Sequence, residues 1–305
     1  MLGFLARRLL VAILVCLTVL TFAFALTRLA GDLAISIAGA QATAADVEII
    51  RKAYGLDRPI VEQFFDWVRR AAVGDLGQSY FFKEKVSKLI ADRLPITLTL
   101  GLVGLTIALT VALPLGIVAA LNESRVVDRL VSLVALLGQA MPSFWLGLIL
   151  MITFGLHLGW LPISGTGTWQ HFVMPGIVLA FSAIPALLRL TRSGMIDALA
   201  SDYIRTARAK GLSRASIILK HAARNAAMPV VSIAAVQLGF MLGGSIVIET
   251  VFALHGVGFL AWESISKNDF PTVQGVVLLL AIIYTLLTLI ADMFNAVLDP
   301  RLRAS

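Results

Sequence analysis

The chain has 305 residues, of which 59% are hydrophobic and only 14% are charged, with a mean hydropathy of +0.91. Soluble domains carry about 25% charged residues, so this composition excludes a soluble protein and indicates one that spans a membrane. A net charge of +7 would suggest nucleic acid as a partner of a soluble protein. Here the cations lie between apolar runs, so we expect the chain to contact membrane lipid and not to bind nucleic acid. Cys16, the single cysteine, excludes a disulfide framework.

Six stretches are apolar and long enough to cross a ~30 Å hydrocarbon core as helices. In chain order, the predicted spans lie near 9–28, 96–121, 131–157, 173–190, 229–250 and 274–297. The first stretch has features of a cleaved signal peptide, namely Arg7, Arg8 and the sequence Ala23-Phe24-Ala25. Its 19 uncharged residues exceed the usual ~7–15 of such a segment, so a retained helix is the favoured interpretation.

The distribution of Lys and Arg predicts that both termini are inside. The short loops at 158–172 and 251–273 hold only Lys267. The short segments on the other side hold fourteen basic residues: Arg7, Arg8, Arg125, Arg129, Arg189, Arg192, Arg205, Arg208, Lys210, Arg214, Lys220, Arg224, Arg301 and Arg303. This orientation divides the chain into a first transmembrane helix at 1–30, an outer loop at 31–94 and a transmembrane core at 95–300 that includes a cytoplasmic loop at 189–228.

The outer loop is too patterned to be a linker. Apolar residues at helical spacing predict an amphipathic helix over 60–73, and Val86, Leu89 and Ile90 suggest a second helix before Arg93. The residues 74–77 between them form a predicted turn. Two interpretations remain open, a small cap packed on the helical bundle and a docking platform for an extracytoplasmic partner.

The cytoplasmic loop carries the most information. Tyr203, Thr206 and Lys210 continue a helical period out of the fourth span, and Gly211 ends it in the position of a C-terminal glycine. Ser213 is a suitable N-cap for a second helix, and Pro229 is expected to open the fifth span. The loop is therefore predicted to be helix, glycine turn, helix. Two interpretations of the loop remain open. A partner that binds it could move the attached spans, or its charges could only fix the topology and contact anionic lipid.

Two sequence segments in this loop, Asp202–Leu212 and His221–Pro229, resemble the coupling loop of binding-protein-dependent ABC importer permeases. More narrowly, they resemble the B-type permease of the dipeptide, oligopeptide and nickel uptake group. The general loop motif has Glu-Ala-Ala, three residues, then Gly; Arg205-Thr206-Ala207 occupies the first slot here and Gly211 the last. The acidic residue is thus missing, as is common in the peptide-type variant.

The resemblance runs almost end to end. A departure occurs at Ala30-Gly31-Asp32-Leu33, where the family typically has Pro-Gly-Asp-Pro. The further matching segments are Phe4–Arg8, Gly55–Pro59, Gly74–Gly77, Arg93–Pro95, Met141–Trp145, Leu161–Gly165, Glu249–Phe252, Gly256–Gly258 and Asp299-Pro300-Arg301.

The resemblance implies the type I ABC importer permease fold with six transmembrane helices, in a bacterial or archaeal inner membrane. It also implies a second, homologous C-type permease, two cytoplasmic ATPase subunits that use ATP and Mg²⁺, and a periplasmic or lipid-anchored binding protein. The 202–229 loop would couple to the ATPases, through Asp202, Tyr203, Arg205, Thr206, Ala207, Arg208, Ala209, Lys210, Gly211 and Leu212. The substrate would be a di- or oligopeptide, with nickel, glutathione, an opine or a sugar as alternatives.

Polar residues inside the spans are candidates for function. Gln139, Ser143 and Gln237 are predicted either to line the pathway or to make interhelical hydrogen bonds. Asp75 and Glu249 are predicted to lie at the binding-protein face.

The chain is expected to be no enzyme and to bind no cofactor. It has no Gly-x-x-x-x-Gly-Lys-Ser/Thr loop for ATP phosphates, and its four histidines lack metal-ligand spacing. A membrane-bound enzyme would need a catalytic constellation that the sequence does not offer. A stand-alone secondary transporter or channel would call for ionisable residues near the midplane and often for inverted repeats, and neither is evident.

Overall fold

The computed structural model describes residues 2–29, 31–39 and 41–298, and an isolated bridge between Gln78 and Lys85 accompanies its helices. The helices are α1 (Leu2–Leu29), α2 (Leu33–Ala38), α3 (Ala44–Ala53), α4 (Ile60–Ala72), α5 (Val86–Leu121), α6 (Val126–Ala140), α7 (Ser143–Leu150), α8 (Val173–Ala200), α9 (Asp202–Ala209), α10 (Arg214–Ser216), α11 (Ala223–Val251), α12 (Val257–Ser266) and α13 (Phe270–Leu298). Ala30, Arg301, Arg303 and the Asp299-Pro300-Arg301 match lie outside the described residues.

Five helical stretches are long and apolar enough to cross a membrane, which confirms the prediction of an all-α polytopic fold. They are Arg7–Leu29, Val86–Leu121, Trp169–Ala200, Arg214–Val251 and Phe270–Phe294. The predicted amphipathic helix at 60–73 is confirmed as α4. The helix suggested by Val86, Leu89 and Ile90 is confirmed, but it does not end before Arg93: these buried residues form the first turns of α5, which continues through Pro95.

The prediction of one span over 131–157 is wrong in shape. α6 and α7 meet at a 99° bend, so the pair is a broken span or a re-entrant loop. Pro142 causes the break, because it has no N–H to donate and disfavours the helical conformation of the residue before it. Met141 accordingly has φ −80° and ψ 130°. A π-helical segment, Met151–His157, continues α7.

Pro229 does not open the fifth span, contrary to the prediction. The helix is continuous from Arg214 to Val251, through a π-helical segment at Ile217–Ala222, and Pro229 lies inside α11. The span is longer than its apolar run because the residues before Pro229 are held by packing. Ala222 and Ala226 are buried, and this packing compensates for the missing proline hydrogen bond.

The described chain divides into two compact units. The larger unit comprises residues 96–255 and 286–298, and the smaller unit comprises residues 2–95 and 256–285. In the larger unit, α8 and α11 pack closely. The Cβ of an alanine at Gly194 would lie 3.3 Å from the Cα of Ala226. The fully buried side chains in the core of this unit include Leu100, Met174, Leu187, Leu188 and Val230.

The smaller unit is organised around a buried carboxylate. Asp269 lies in the turn between α12 and α13 and has no exposed surface. Its carboxylate accepts hydrogen bonds from the Ser79 hydroxyl at 2.6 Å, the Tyr80 N–H at 2.8 Å and the Thr272 hydroxyl at 2.6 Å. A buried carboxylate needs such donors to offset its desolvation, so this turn and the 79–82 segment are held together.

Candidate functional site

The loop at 189–228 contains the predicted helix, glycine turn and helix, which we call the loop hairpin (residues 202–216). α9 ends in a Schellman motif: the Gly211 N–H donates to the Arg208 carbonyl at 3.0 Å, and the Leu212 N–H donates to the Ala207 carbonyl at 3.3 Å. Gly211 has φ +72°, a conformation that glycine adopts without steric cost. The Ser213 hydroxyl then accepts from the Ser216 N–H at 3.3 Å and caps the next helix.

The loop hairpin is anchored by a small apolar cluster. Ile204 and Ala207, one helical turn apart on α9, are buried against Ile217 and Ala222 of the π-helical segment. Met195, Ala198 and Ala226 complete the cluster from α8 and α11. Ile204 is fully buried, whereas its neighbour Tyr203 is 41% exposed. The anchoring side chains therefore connect the hairpin to both neighbouring spans.

One polar contact adds to this anchor. The Tyr203 hydroxyl accepts a hydrogen bond from the Asn225 side chain of α11 at 2.8 Å. The other polar side chains of α9 are exposed. Asp202 and Arg205 pair with each other at 3.0 Å on the exposed surface.

Nine of the ten predicted coupling residues are exposed, and only Ala207 is buried. A depression of about 600 Å³ lies beside the turn, where Arg208 and Arg214 flank the apolar side chains of Leu212 and Ile218. The hairpin thus presents a cationic surface with an apolar floor while its interior side is fixed. Such a surface suits a protein partner that carries acidic and apolar groups.

An ion pair that the sequence does not reveal joins Arg192 of α8 to α6. Asp128, near the start of α6, accepts two hydrogen bonds from Arg192, from Nε at 2.6 Å and from a terminal guanidinium nitrogen at 2.7 Å. The Ser124 N–H donates to the same carboxylate at 3.0 Å. Arg192 counted only as a topology charge, and no sequence spacing links residues 64 positions apart. The pair fixes α6 to the helix that leads into the loop hairpin.

The predicted pathway residues are distributed over three helices of the larger unit, α6, α7 and α11. Gln139 and Ser143 are exposed on either side of the Pro142 break, and Gln237 is half-buried in the middle of α11. Gln237 shares one helix face with Phe240, Gly244 and Val247, all of which are exposed. No other part of the larger unit lies within 4 Å of a Cβ placed at Gly244. This face is therefore accessible to a second chain, which could pack closely against it or enclose a pathway with it.

The two residues assigned to the binding-protein face differ in exposure. Asp75 is exposed, and its carboxylate accepts from the Gly77 N–H at 3.0 Å, which shapes the turn. Glu249 is fully buried in the larger unit, where Thr97 Oγ1 donates to its carboxylate at 2.8 Å and Ser245 Oγ lies 2.9 Å away. Any contribution of Glu249 to a docking face would therefore be indirect, through the position of the residues around it.

Asp75 also borders a cleft of about 1150 Å³ in the smaller unit. Five cations and three acids line it, namely Arg28, Lys52, Arg58, Arg69, Arg70, Asp57, Asp66 and Asp75. Tyr80 lies deep in the cleft, where burial raises the pKa of its hydroxyl to about 12, so this group is neutral at physiological pH. The described residues contain no group of three or more His, Cys, Asp or Glu side chains placed to hold a metal ion.

The long apolar helices and the exposed basic hairpin between two of them define a polytopic membrane protein. Residues 112–304 match the family of binding-protein-dependent transport system inner membrane components, and residues 1–101 match the N-terminal domain of such membrane components. The chain belongs to this family of importer permeases.

Curated relatives agree with this assignment over the whole length. The glutathione transport system permease protein GsiC of Escherichia coli strain K12 is 39% identical over 305 residues, covering 99% of both chains. The protein of the same name from Salmonella typhimurium strain LT2 gives the same identity and coverage.

Among solved structures, the inward-facing MetNI methionine ABC transporter aligns with a TM-score of 0.56 at 20% identity, over 68% of this chain and 96% of that one. A second crystal form of that transporter gives 0.57 over the same shares. These structures show the fold, and they confirm the ABC importer permease fold predicted from the loop sequence.

Proposed function

We propose that the chain is the permease subunit of an ATP-driven, binding-protein-dependent importer in a bacterial or archaeal inner membrane. It would form half of the translocation pathway, and a homologous C-type permease would supply the other half. The family membership supports this proposal. The open face of α11 around Gly244 supports it further, because small residues allow two membrane helices to approach closely.

The loop hairpin is the observation that carries the proposal. Its inner side is anchored to α8 and α11 through Ile204 and Ala207, and its outer side offers Arg205, Arg208 and Lys210. A partner that displaces the hairpin would therefore displace both spans. Two ATPase subunits that use ATP and Mg²⁺ would be those partners. The charge bias supports a cytoplasmic position for the hairpin and both termini.

The substrate would be a peptide or a peptide-like molecule. The named relatives support this class, since glutathione is itself a tripeptide. Nickel, an opine or a sugar would be the alternatives. A periplasmic or lipid-anchored binding protein would select among them, so identifying the ligand that co-purifies with the cognate binding protein tests the substrate directly.

The coupling role is tested by replacing Gly211 with valine. No other part of the larger unit lies within 4 Å of a Cβ at this position, so the substitution strains the turn without creating a clash in the chain. We expect normal insertion but loss of substrate-stimulated ATP hydrolysis and uptake in the reconstituted complex. Gly159→Val is the matched control, because Gly159 has φ +63° and the same open surroundings. Equal uptake in the two variants would contradict the proposal.

A stand-alone secondary transporter is the competing class. Reconstitution of the chain with and without its ATPase partners separates the two classes. We expect uptake to require the partners and ATP. Uptake by the chain alone, driven by an ion gradient, would overturn the importer proposal.

A further inference from the structure

Helix α4 has an unusually wide apolar arc for a short helix outside the spans. At 100° per residue, one side of Ile60–Ala72 collects Ile60, Phe64, Trp67, Val68, Val61 and Phe65, together with two alanines. Glu62, Asp66, Arg69 and Arg70 occupy the opposite side. The pattern is that of a helix that contacts an apolar environment on one side and water on the other.

Half of the apolar arc packs within the smaller unit. Trp67 is buried against Leu20 and Phe24 of α1 and Leu278 of α13, and Phe64 joins this cluster. The rings of Phe24 and Phe64 meet edge to face at 5.4 Å between centroids. The contacts fix α4 against two helices that are themselves membrane spans.

The contacts also fix how far α4 lies from the ends of α1 and α13. Leu20 and Phe24 precede Arg28, the cation in the last turn of α1, by two turns and one turn, which is roughly 12 and 6 Å along the axis. Leu278 lies two turns, or roughly 12 Å, after Phe270, the first residue of α13. A helix that touches these side chains therefore lies within about two helical turns of the ends of both spans.

The other half of the apolar arc has no protein cover in the smaller unit. Val61 and Phe65 are 64% and 65% exposed. The side chains of α1 at the same level, Phe22 and Leu26, are also exposed, as expected for residues that face lipid. The exposed part of α4 therefore continues the lipid-facing surface of α1.

We propose that α4 is an interfacial membrane helix. Its Val61 and Phe65 side chains would insert among the upper acyl chains of the leaflet where α1 ends, while Arg69 and Arg70 would face the lipid headgroups and water. Amphipathic helices bind in this way with their apolar face buried ~5–10 Å below the headgroups. The lipid surface would hold the segment between α1 and α5 in a fixed plane, independently of the substrate that the transporter carries.

Site-directed fluorescence tests this placement. Cys16 is the single cysteine, so Cys16→Ala gives a cysteine-free background in the full chain. Val61→Cys and Phe65→Cys each place a bimane label on the exposed apolar side. Arg70→Cys is the matched control, because residue 70 is exposed on the same helix and nine positions, or half a rotation, from Val61. The labelled protein is placed in vesicles of phosphatidylethanolamine and phosphatidylglycerol.

The expected result is that lipids with a nitroxide near the headgroup quench the V61C and F65C labels strongly, whereas aqueous iodide quenches mainly the R70C label. Two results would overturn the proposal. Iodide quenching of all three labels alike would place α4 in water. Protection of V61C and F65C from both quenchers would show that a protein, not lipid, covers the face. Because V61C and F65C test the same face independently, a folding failure of one variant leaves the other decisive.

Discussion

The loop hairpin in the larger unit and the Asp269 turn in the smaller unit use similar residues in opposite ways. Both are short connections that carry an aspartate and a left-handed residue, Gly211 at φ +72° and Asn268 at φ +55°. In the hairpin, Asp202 and Arg205 form an exposed ion pair, which contributes little to stability. In the turn, Asp269 is fully buried and receives three short hydrogen bonds. The polar groups of the hairpin remain available to a partner, whereas those of the turn are committed to the fold.

The largest expected effect on stability comes from removing the buried carboxylate of Asp269. Asp269→Ala would leave the Ser79 hydroxyl, the Tyr80 N–H and the Thr272 hydroxyl without their acceptor. Each buried unsatisfied donor costs roughly 1–3 kcal/mol, so we expect a loss of about 3 kcal/mol or more. Thermal unfolding in detergent measures it. Asp202→Ala is the control and should leave the midpoint nearly unchanged; equal shifts in the two variants would show that the contrast is wrong.

The next largest expected effect is the coupling energy between Asp128 and Arg192 in the larger unit, which a double-mutant cycle measures. The Asp128 side chain is nearly buried, and the pair is bidentate, so we expect a coupling energy of about 2 kcal/mol. The same cycle on Asp202 and Arg205 should give close to zero, because that pair is exposed. Denaturant unfolding of the single and double variants measures both. A larger coupling at the hairpin would mean that its charges also serve the fold.

The hairpin was predictable from sequence because its signals are local. A glycine at the end of a basic helix and a serine before the next helix specify the turn through contacts within five residues. The amphipathic pattern of α4 is equally local. The 99° bend between α6 and α7 was not anticipated, since a proline inside an apolar run is also compatible with a kinked span, and packing decides between them.

The long-range polar contacts could not be read from sequence at all. Asp269 meets Ser79 across 190 positions, and Thr97 meets Glu249 across 152. Apolar periodicity gives the face on which a residue lies but not its neighbour on another helix. Glu249 therefore looked like a surface residue at the end of a span, whereas its carboxylate is satisfied inside the larger unit.

Tyr203→Phe gives a smaller effect that tests how firmly the hairpin is attached. The substitution removes the hydroxyl that accepts from Asn225 at 2.8 Å but keeps the ring. One exposed neutral hydrogen bond contributes about 1 kcal/mol or less. We expect little change in unfolding and a modest increase in hydrogen exchange over α9. Ile204→Ala, which removes the buried anchor, should increase exchange far more; the reverse order would show that the polar contact is the main attachment.

The smallest effect is a pH dependence in the segment between α1 and α4. Asp32 accepts from Arg51 at 2.6 Å and from the Ala34 N–H at 2.9 Å, and the hydrogen bond from Arg51 holds the pKa of Asp32 below its ordinary value of 3.8. Because the folded pKa is lower than the unfolded one, the contribution is complete at neutral pH and is lost as the pH falls below 3.8. Amide exchange in α2 and α3, corrected for intrinsic rates, should therefore rise on acidification.

Asp32→Asn should remove most of this dependence, while Asp46, whose pKa is lowered by the Thr43 hydroxyl, titrates equally in both proteins. An unchanged pH profile in the variant would show that the Asp32–Arg51 pair, like the pair on the loop hairpin, leaves the fold unaffected.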